Sequence, residues 1–509
     1  MTISPKQRLA VIIAALLALF LGAMDSLIVS AAMPTIVAEL GELQLYSWVY
    51  SSYLLARAVS LPIFGKLADQ YKSRNLLIAA IGLFIMSSLA AGCAFNMVAL
   101  IGARVFQGIG AGAIFALVYV VLADVSPPQS RGRTLSFASS VWGIASVLGP
   151  TLGGFIVTYF SWRWIFFINI PLGLISLWGI GIYFVELRDK KGKVSMDIAG
   201  VASLSIAILA FLFAFLLGGR NYAWDSSVII GLLILSVVSI IAFSAVEHRA
   251  KDPLLSIEFF RLRGFSTGNA AVFLSSFAIF SLFAFAPLFI QGAQGRSPME
   301  VGVSMLSLSL GWSLGSMALG QFIDRIGQKG TAVAGAVCLL AGCAVTLTFA
   351  PATSTYYIFI NFFVIGIGMG WVALSTLLVV QSWLDEKDLG VATSSNQFAR
   401  TFGGTVGVGI CGSFITSRFS SLSESLRTSD LMRHLPTRPS DTGFGQIESL
   451  LRPEVQANMS PALHHMVQDA VVQGVGSVFW TVTVAAGLCL LLCLLIPGQK
   501  KKTSQRNKG

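Results

Sequence analysis

Charged side chains are scarce in this sequence. Aspartate, glutamate, lysine and arginine together make up 11% of its 509 residues, whereas 55% of the residues are hydrophobic. A soluble globular domain carries about 25% charged residues, which it needs to cover its surface. The composition therefore excludes an ordinary water-soluble fold and predicts an integral membrane protein.

Residues that build metal and catalytic sites are also few. The chain has only four histidines, and none lies near a cysteine, so the pattern of a metal site is missing. A Gly-x-x-x-x-Gly-Lys-Ser/Thr segment, the signature of a nucleotide-binding loop, is missing too. We therefore predict a protein that is not an enzyme, binds no metal, needs no cofactor and draws its energy from an ion gradient. The histidines all lie in predicted loops: His248, His434, His464 and His465.

Positive charges give the chain a net charge of +11, and most of them lie in short loops between apolar runs. A basic chain can bind nucleic acid, but this placement is typical of loops that stay on the cytoplasmic side of a membrane. We therefore predict no nucleic-acid partner. The loops predict a multi-pass protein of the cell membrane (the inner or plasma membrane) with both termini in the cytoplasm.

Apolar runs of about 20 residues, which can cross a bilayer as helices, occur fourteen times. The first run is too long for the hydrophobic part of a signal peptide, so it is counted as a span. The polar segment 417–473 then falls outside the cytoplasm, and an amphipathic helix is predicted in it near Val455–Val472. The predicted spans are residues 11–33, 46–64, 76–95, 97–123, 134–159, 164–185, 198–217, 228–246, 267–292, 301–323, 332–350, 356–383, 391–416 and 474–496.

Two short segments recur at nearly one offset. Gly65–Arg74 after the second span matches Gly320–Lys329 after the tenth, and Gly108–Gly112 in the fourth span matches Gly366–Gly370 in the twelfth. The repeat predicts two six-helix halves with two helices inserted between them. The predicted units are an N-terminal half over 1–190, two inserted helices with a linker over 191–260, and a C-terminal half over 261–509 that includes loop 417–473 and a cytoplasmic tail.

Five motifs, in order along the chain, point to one transporter family. They are Met24–Pro34, Gly65–Arg74, Arg104–Gly112, Gly149–Gly154 and Trp162–Pro171. Together they resemble the motifs of the fourteen-span drug/proton antiporters of the major facilitator superfamily, the EmrB/QacA type. The resemblance implies an all-α major facilitator fold. It also implies a proton-coupled secondary active transporter that exports small organic compounds, as in multidrug or metabolite efflux, by alternating access.

The loop after the second span carries a candidate conformational latch. Asp69 lies among basic side chains near a helix start, where a carboxylate can cap the helix and pair across the two halves. The alternative is a loop that only sets topology. The predicted latch residues are Gly65, Asp69, Arg74 and, in the repeat, Asp324.

The fifth span carries the motif that the resemblance associates with antiport. A proline inside a helix removes a backbone donor and bends the helix, and glycines let a neighbouring helix approach closely. The residue types alone indicate a kinked and tightly packed helix. The motif residues are Gly149, Pro150, Gly153 and Gly154.

Asp25 is the one carboxylate deep inside a predicted span. Nine residues separate it from Pro34, which places it roughly 13 Å below the outer end of the span. A carboxylate at that depth is costly, so such residues usually line a cavity and bind protons or cations. We assign Asp25 to proton and substrate coupling; the alternative is a hydrogen-bonded structural aspartate.

Arg57, Arg104 and Arg400 also lie inside predicted spans. Arg57 lies at a depth close to that of Asp25, which suggests an Asp25–Arg57 ion pair; the alternative is an arginine that snorkels toward water. Arg104 and Arg400 match family motifs, so the resemblance links them to coupling, although either can be structural. Three arginines against one aspartate favour anionic or neutral substrates over cations.

Two functions fit these features. One is proton-coupled export of an amphipathic small molecule, and the other is transport or import of a specific organic anion on the same scaffold. Both require membrane lipid around the chain, and the sequence identifies no periplasmic adaptor. Leu27, Ser30 and Phe362 depart from the family pattern and leave the substrate open. Aromatic candidates for a substrate pocket are Phe280, Phe283, Phe285, Phe359, Phe362, Phe363 and Trp371.

Overall fold

Almost all of the described chain is α-helical. The computed structural model describes residues 4–40, 46–127, 130–186, 197–218, 222–249, 257–296, 298–427 and 461–498. Within them, the one β-type contact is an isolated bridge between Gly218 and Tyr222. The helices are α1 Pro5–Leu40, α2 Tyr46–Gln70, α3 Ser73–Gly92, α4 Met97–Val125, α5 Arg131–Tyr159, α6 Trp164–Phe167, α7 Asn169–Tyr183, α8 Ile198–Leu217, α9 Ser227–Glu247, α10 Arg263–Leu288, α11 Pro298–Ile326, α12 Gln328–Thr346, α13 Thr355–Trp383, α14 Leu389–Arg427 and α15 Pro461–Leu495.

Polar caps mark the start of several helices. Asn96, Asp197, Ser226 and Ser354 precede α4, α8, α9 and α13, and each side-chain oxygen accepts a hydrogen bond from the backbone N–H three residues on. Such caps satisfy donors that have no partner in the first turn of a helix. Inside the bilayer no water can replace a missing partner, so the apolar runs between the caps form helices.

Each predicted span lies on a helix, and eleven of the described helices are long and apolar enough to cross a membrane. The helices α2, α5 and α14 are as long as the others but more polar. They are also the helices through which the two halves of the chain meet, together with α11. Their lower apolar content therefore goes with their position between the two halves.

The polar segment predicted over 417–473 is shorter than expected. Helix α14 continues to Arg427 and α15 already begins at Pro461. Hydropathy marks only the part of a helix that lies within the hydrocarbon core, so the polar ends of both helices were assigned to the loop. Residues 428–460 lie outside the described residues, as does the first part of the amphipathic helix predicted near Val455–Val472; its later part belongs to α15.

Two seams join the first half, α1–α7, to the second half, α10–α15. One seam is formed by α2 and α14, and the other by α5 and α11. Helix α8 packs against both α2 and α14, and α9 packs on α8. Helix α8 therefore covers the first seam.

One end of the bundle is rich in basic residues. At this end, Asp69 in the last turn of α2 contacts the start of α14, and Gly132 at the start of α5 lies against Ile323 near the end of α11. We call it the basic end and the other the opposite end. The basic residues in the helix ends and turns there are Lys66, Lys72, Arg74, Arg131, Arg133, Arg325 and Lys329.

The repeated glycines perform the same task in both halves. A Cβ atom at Gly112 of α4 would lie 2.6 Å from the carbonyl oxygen of Arg57 on α2. A Cβ atom at Gly370 of α13 would lie 2.6 Å from the carbonyl oxygen of Trp312 on α11. Small residues let the backbones of membrane helices touch, so the repeat seen in the sequence is a repeat of helix packing.

Gly112→Val is expected to lower the stability of the protein by about 1 to 3 kcal/mol, because the new side chain collides with the backbone of α2. Gly102→Val on the same helix is the matched control, since a Cβ atom there meets nothing within 4 Å. Thermal unfolding of both variants in detergent measures the difference. Equal melting temperatures would show that α2 and α4 separate at little cost.

Candidate functional site

Asp25 lies at the centre of a buried polar network. Its Oδ2 atom accepts a hydrogen bond from Arg104 Nη1 at 2.5 Å, in an ion pair whose two side chains are both fully buried. Its Oδ1 atom accepts from Gln107 Nε2 at 2.9 Å and from Asn169 Nδ2 at 3.1 Å. Both amides also donate to the hydroxyl of Ser88, at 2.7 Å and 3.3 Å. The carboxylate is therefore held by one cation and two amides.

Four helices of the first half supply this network. Asp25 comes from the middle of α1 and Ser88 from α3. Arg104 and Gln107 lie three residues apart on α4, so they share a face, and Nη1 of Arg104 also donates to Oε1 of Gln107 at 2.7 Å. Asn169 is the first residue of α7, directly after the break at Ile168 that separates α6 from α7. A change at Asp25 therefore alters the contacts among α1, α3, α4 and α7 together.

The other face of Arg104 rests on aromatic and backbone groups. Its guanidinium carbon lies 4.1 Å from the ring centroid of Tyr53 and 5.9 Å from that of Phe166. Its Nε atom donates to the carbonyl oxygen of Val49 at 3.3 Å, and the Tyr53 hydroxyl donates to the carbonyl oxygen of Gly22 at 2.9 Å. Tyr53 thus connects α2 to α1 beside the ion pair.

The predicted Asp25–Arg57 pair is wrong, because Asp25 pairs with Arg104. Helix α2 packs along α4 with Arg57 level with Gly112, eight residues beyond Arg104. At 1.5 Å per residue, the backbone of Arg57 lies about 12 Å closer to the basic end than the backbone of Arg104 does. Depth estimated from the predicted span ends could not resolve this offset.

Arg57 and Arg400 instead meet at Trp142. Their guanidinium carbons lie 5.3 Å and 5.4 Å from the centroid of this ring, which α5 contributes. Arg400 also lies 5.9 Å from the ring centroid of Trp312 on α11. The cluster therefore contains one residue from each of the four helices that form the two seams. Sequence reasoning missed both tryptophans, since nothing in the sequence separates them from tryptophans that anchor a helix in lipid.

A reciprocal pair of hydrogen bonds fixes the second seam at the same level. Ser140 Oγ donates to the carbonyl oxygen of Ser313, and Ser313 Oγ donates to the carbonyl oxygen of Ser140, each at 3.1 Å. Ser140 lies two residues before Trp142, and Ser313 directly follows Trp312. The spacing of α5 and α11 is thus set beside the tryptophans.

Asp69 caps a helix of the other half. Its Oδ1 atom accepts from the backbone N–H of Gly390 at 2.7 Å, and its Oδ2 atom from that of Val391 at 2.9 Å. Both donors lie in the first turn of α14, where the helix carries free N–H groups and partial positive charge. Gly65 lies one turn before Asp69, and a Cβ atom there would lie 2.9 Å from the carbonyl oxygen of Gly390. The contact holds α2 against α14 at the basic end; its role as a latch stays a prediction.

The other two predicted latch residues do not contribute a described contact between the halves. The backbone N–H of Arg74 donates to Glu186 Oε2 at 3.2 Å, and its guanidinium donates to the carbonyl oxygen of Gly181. Arg74 therefore ties α3 to the end of α7 within the first half. Asp324 lies on α11 near the basic end, but its side chain lies outside the described residues.

The fifth-span motif brings α5 against α1 beside the ion pair. A Cβ atom at Gly149 would lie 2.9 Å from Leu27 Cβ, two residues beyond Asp25. Gly153 is buried, whereas a Cβ atom at Gly154 would meet nothing within 4 Å. Helix α5 continues through Pro150 to Tyr159. The close contact at Gly149 thus places the seam helix α5 next to the helix that carries the carboxylate.

A second ion pair lies at the opposite end. Arg163 Nη1 donates to Glu39 Oε1 at 2.5 Å, and the buried Trp162 donates through Nε1 to Glu39 Oε2 at 2.6 Å. Arg163 also stacks on Trp162, with its guanidinium carbon 4.5 Å from the ring centroid. The cluster ties the end of α1 to the start of α6.

The match to known proteins agrees with this architecture. The family model described as "Major Facilitator Superfamily" matches residues 15–408. This chain belongs to the major facilitator superfamily. It is thus a membrane transporter of small molecules by family.

Several relatives of this major facilitator protein match over most of its length. "Multidrug transporter protein MdtP" of Bacillus subtilis (strain 168) is 32% identical over 99% of this chain and 96% of the relative. "Multidrug resistance protein 3" of the same organism is 30% identical over 97% and 96%. "Efflux pump dotC" of the fungus Dothistroma septosporum is 32% identical over 79% and 71%. Relatives of this kind thus include multidrug transporters and efflux pumps.

A solved structure shares the fold. The human organic anion transporter MFSD10 (TETRAN) superimposes with a TM-score of 0.65 and covers 97% of this chain and 100% of its own. The two sequences are 13% identical, so the similarity concerns the fold alone. Within the described part of this major facilitator chain, no cluster of three or more His, Cys, Asp or Glu residues could hold a metal ion.

Glu39→Gln is expected to leave the pH profile of transport unchanged between about pH 6 and about pH 8. Hydrogen bonds from Arg163 and then Trp162 hold the pKa of Glu39 below its usual 4.5. A depressed pKa contributes stability above the unfolded value, and this contribution is lost only as the pH falls through the lowered folded value. The pair is also partly exposed, so its loss costs at most about 1 kcal/mol. The transport rate of Glu39→Gln, measured across this pH range beside that of the unchanged protein, tests this prediction. A shifted pH profile in the variant would place a coupling proton at the opposite end.

Proposed function

We propose that this transporter exports amphipathic small organic molecules in exchange for protons, by alternating access. In this proposal it is a fourteen-span antiporter of the EmrB/QacA type, with the two six-helix halves and the inserted pair predicted above. The basic end and both termini face the cytoplasm, because basic loops stay on that side. The names of the full-length bacterial relatives support multidrug transport as the activity.

One observation carries the proton-coupled part. Asp25 is fully buried within a span, and it is held there by Arg104 and two amides. A buried pair is stable only while both charges are present, and a carboxylate that gains a proton releases its cation. Binding of one proton would therefore free Arg104 from Asp25 and loosen the contact among α1, α3, α4 and α7.

Contacts between the two halves connect protonation of Asp25 to opening of the whole transporter. With the Asp69 cap in place, α2 and α14 are joined at the basic end. Opening toward the cytoplasm requires the loss of that cap and of the contacts between α5 and α11. Because Gly149 packs beside Leu27, a movement of α1 at Asp25 acts directly on the seam helix α5. We infer that protonation and seam opening are coupled through α1 and α5.

Purified protein in liposomes that enclose a pH dye tests the proposal. Addition of a transported compound to energised vesicles should move protons, and collapse of the pH gradient with an ionophore should stop accumulation of the compound. Protein-free liposomes provide the background. A panel of cationic, neutral and anionic compounds that drives no proton movement above this background would overturn proton coupling.

Direction of flux separates export from the alternative, import of a specific organic anion. Inside-out and right-side-out cell vesicles present opposite faces of the protein to the same compound. An exporter concentrates the compound inside inside-out vesicles when protons flow outward from them. Accumulation only in right-side-out vesicles would favour the importer.

A further inference from the structure

Two buried arginines face each other, and neither has a counter-ion among the described residues. Arg57 and Arg400 are 6% and 5% exposed, and they approach the same ring, that of Trp142. Their guanidinium carbons lie 5.3 Å and 5.4 Å from the centroid of that ring, so the two like charges repel each other. Among the described residues neither arginine forms an ion pair, and Arg57 interacts with the hydroxyl of Tyr53. Buried charges in proteins are normally paired, so this arrangement lacks an anion.

The buried polar atoms around the arginines are donors that lack acceptors. Arg57 Nε, Trp142 Nε1 and Trp312 Nε1 are all buried and have no hydrogen-bond partner in the described part of the protein. Asn396 lies one turn before Arg400 on the same face of α14, and its Nδ2 atom is also without a partner. Most buried donors in native proteins are satisfied. A cluster of unsatisfied donors around two cations fits a group that only accepts hydrogen bonds and carries negative charge.

Aromatic rings enclose the same place. Phe115 lies under Arg57, with the guanidinium carbon 4.5 Å from its ring centroid, and Trp312 lies beside Arg400. Rings hold guanidinium groups by cation–π attraction and offer a flat apolar surface to a bound ring. Guanidinium groups match the planar geometry of carboxylates. An aromatic body joined to an acidic group is complementary to both parts.

The depth of the cluster excludes lipid headgroups as the source of the anion. Arg400 lies eleven residues from the start of α14, and Trp142 lies eleven residues from the start of α5, so each is roughly 17 Å from the basic end. Helices of both halves surround this level. A molecule bound here touches both halves at once, which is where a carrier that alternates between two openings holds its cargo.

We propose that Arg57 and Arg400, together with the indole N–H groups of Trp142 and Trp312, bind the acidic group of the transported molecule. The substrates are then aromatic organic acids, such as carboxylates or sulfonates on a fused ring. The assignment of this molecule as cargo rests on the proposed transport function, whereas the binding itself does not.

Equilibrium binding to purified protein without a proton gradient tests the site. The probes are 2-naphthoate, 2-naphthylmethylamine and 2-naphthalenemethanol, which share one ring and differ in charge, with sodium sulfate as an anion that has no ring. Isothermal titration calorimetry should show that 2-naphthoate binds at least tenfold more tightly than each of the others. Arg57→Gln and Arg400→Gln should each weaken its binding by about tenfold to a hundredfold, because each removes a charged donor.

Stability separates a ligand site from a structural role. Each Arg→Gln variant relieves the repulsion between two unpaired cations, so its melting temperature without ligand should stay the same or rise. Arg263→Gln, which changes an exposed arginine at the start of α10, is the control and should alter neither binding nor melting. If Arg57→Gln and Arg400→Gln both unfold, or both bind 2-naphthoate as tightly as the unchanged protein, the proposal is wrong.

The same measurements distinguish this proposal from the transport proposal. Tight, arginine-dependent binding of 2-naphthoate without proton-coupled flux would retain the site and overturn proton coupling. Proton-coupled flux of other compounds with equal affinity for the three naphthyl probes would retain transport and overturn the site. Sulfate binding as tight as that of 2-naphthoate would overturn the aromatic part of the substrate class.

Discussion

Asp25→Asn is expected to reduce compound-driven proton movement to the background of protein-free liposomes. An amide neither gains nor releases a proton in the range where transport operates, so a carrier that uses Asp25 loses coupling completely. The substitution keeps the size of the side chain, and its remaining oxygen can still accept from Gln107 or Asn169. Loss of flux would therefore report the missing charge rather than a missing side chain.

The same variant is expected to be less stable, because Arg104 remains buried without its anion. Removing one partner of a buried ion pair costs about 3 to 5 kcal/mol. The double variant Asp25→Asn/Arg104→Gln should regain part of this stability, since it leaves no charge unpaired, and should still move no protons. Melting temperature and proton flux, measured on the same preparations, separate the structural role of the pair from its role in coupling.

Asp225→Asn is the matched control, since Asp225 is exposed in the turn between α8 and α9. It should leave both flux and melting unchanged. Proton movement that persists in Asp25→Asn would show that the coupling proton binds elsewhere. The fold and the ion pair would stand, but Asp25 would be a structural residue.

Much of the fold follows from the sequence because the bilayer allows so few alternatives. A run of about 20 apolar residues in lipid must make the hydrogen bonds of its own backbone groups within the segment. For a single segment, only a helix does this. The repeated glycines at Gly108–Gly112 and Gly366–Gly370 also indicated two similar halves, and the structure places both sets against a partner helix. Helix ends were less predictable, because polar turns of α14 and α15 continue beyond the apolar core.

The site was harder to predict, because depth along a helix does not tell which face a side chain occupies. Asp25 stood out as a carboxylate in an apolar run, but its depth was measured from Pro34, whereas α1 continues six residues to Leu40. That difference is about 9 Å, so depths counted from helix ends do not show which residues of two neighbouring helices lie at the same level. Its amide partners Gln107 and Asn169 lie inside the motifs Arg104–Gly112 and Trp162–Pro171. Only the packing of α4 and α7 against α1 brings them to one carboxylate.

Asp69→Ala is expected to shift the transporter toward the state that is open at the basic end. The variant removes two hydrogen bonds from a carboxylate to the first turn of α14. A hydrogen bond to a charged group contributes about 1.5 to 3 kcal/mol, so the loss of both shifts the equilibrium by about a hundredfold or more. Asp69→Asn keeps one acceptor oxygen and should give an intermediate shift.

Distances between spin labels at Lys72 and Glu386 can measure this shift. Both residues are exposed at the basic end and belong to different halves. In a background without the native cysteines, the unchanged Asp69 should give mainly the short distance, and Asp69→Ala mainly a longer one. Glu258→Gln, which changes another exposed carboxylate at the same end, is the control and should keep the short distance.

The Asp69 experiment also distinguishes a latch from an ordinary helix cap. An ordinary cap stabilises every state of the protein alike, so its removal lowers the melting temperature and leaves the distance distribution unchanged. A latch stabilises only the state in which α2 and α14 meet, so its removal changes the distribution in the order alanine, then asparagine, then aspartate. Because Asp69 and the first turn of α14 come from different halves, the contact cannot survive their separation. An unchanged distribution in Asp69→Ala would therefore mean that the contacts of α5 with α11 close the basic end on their own.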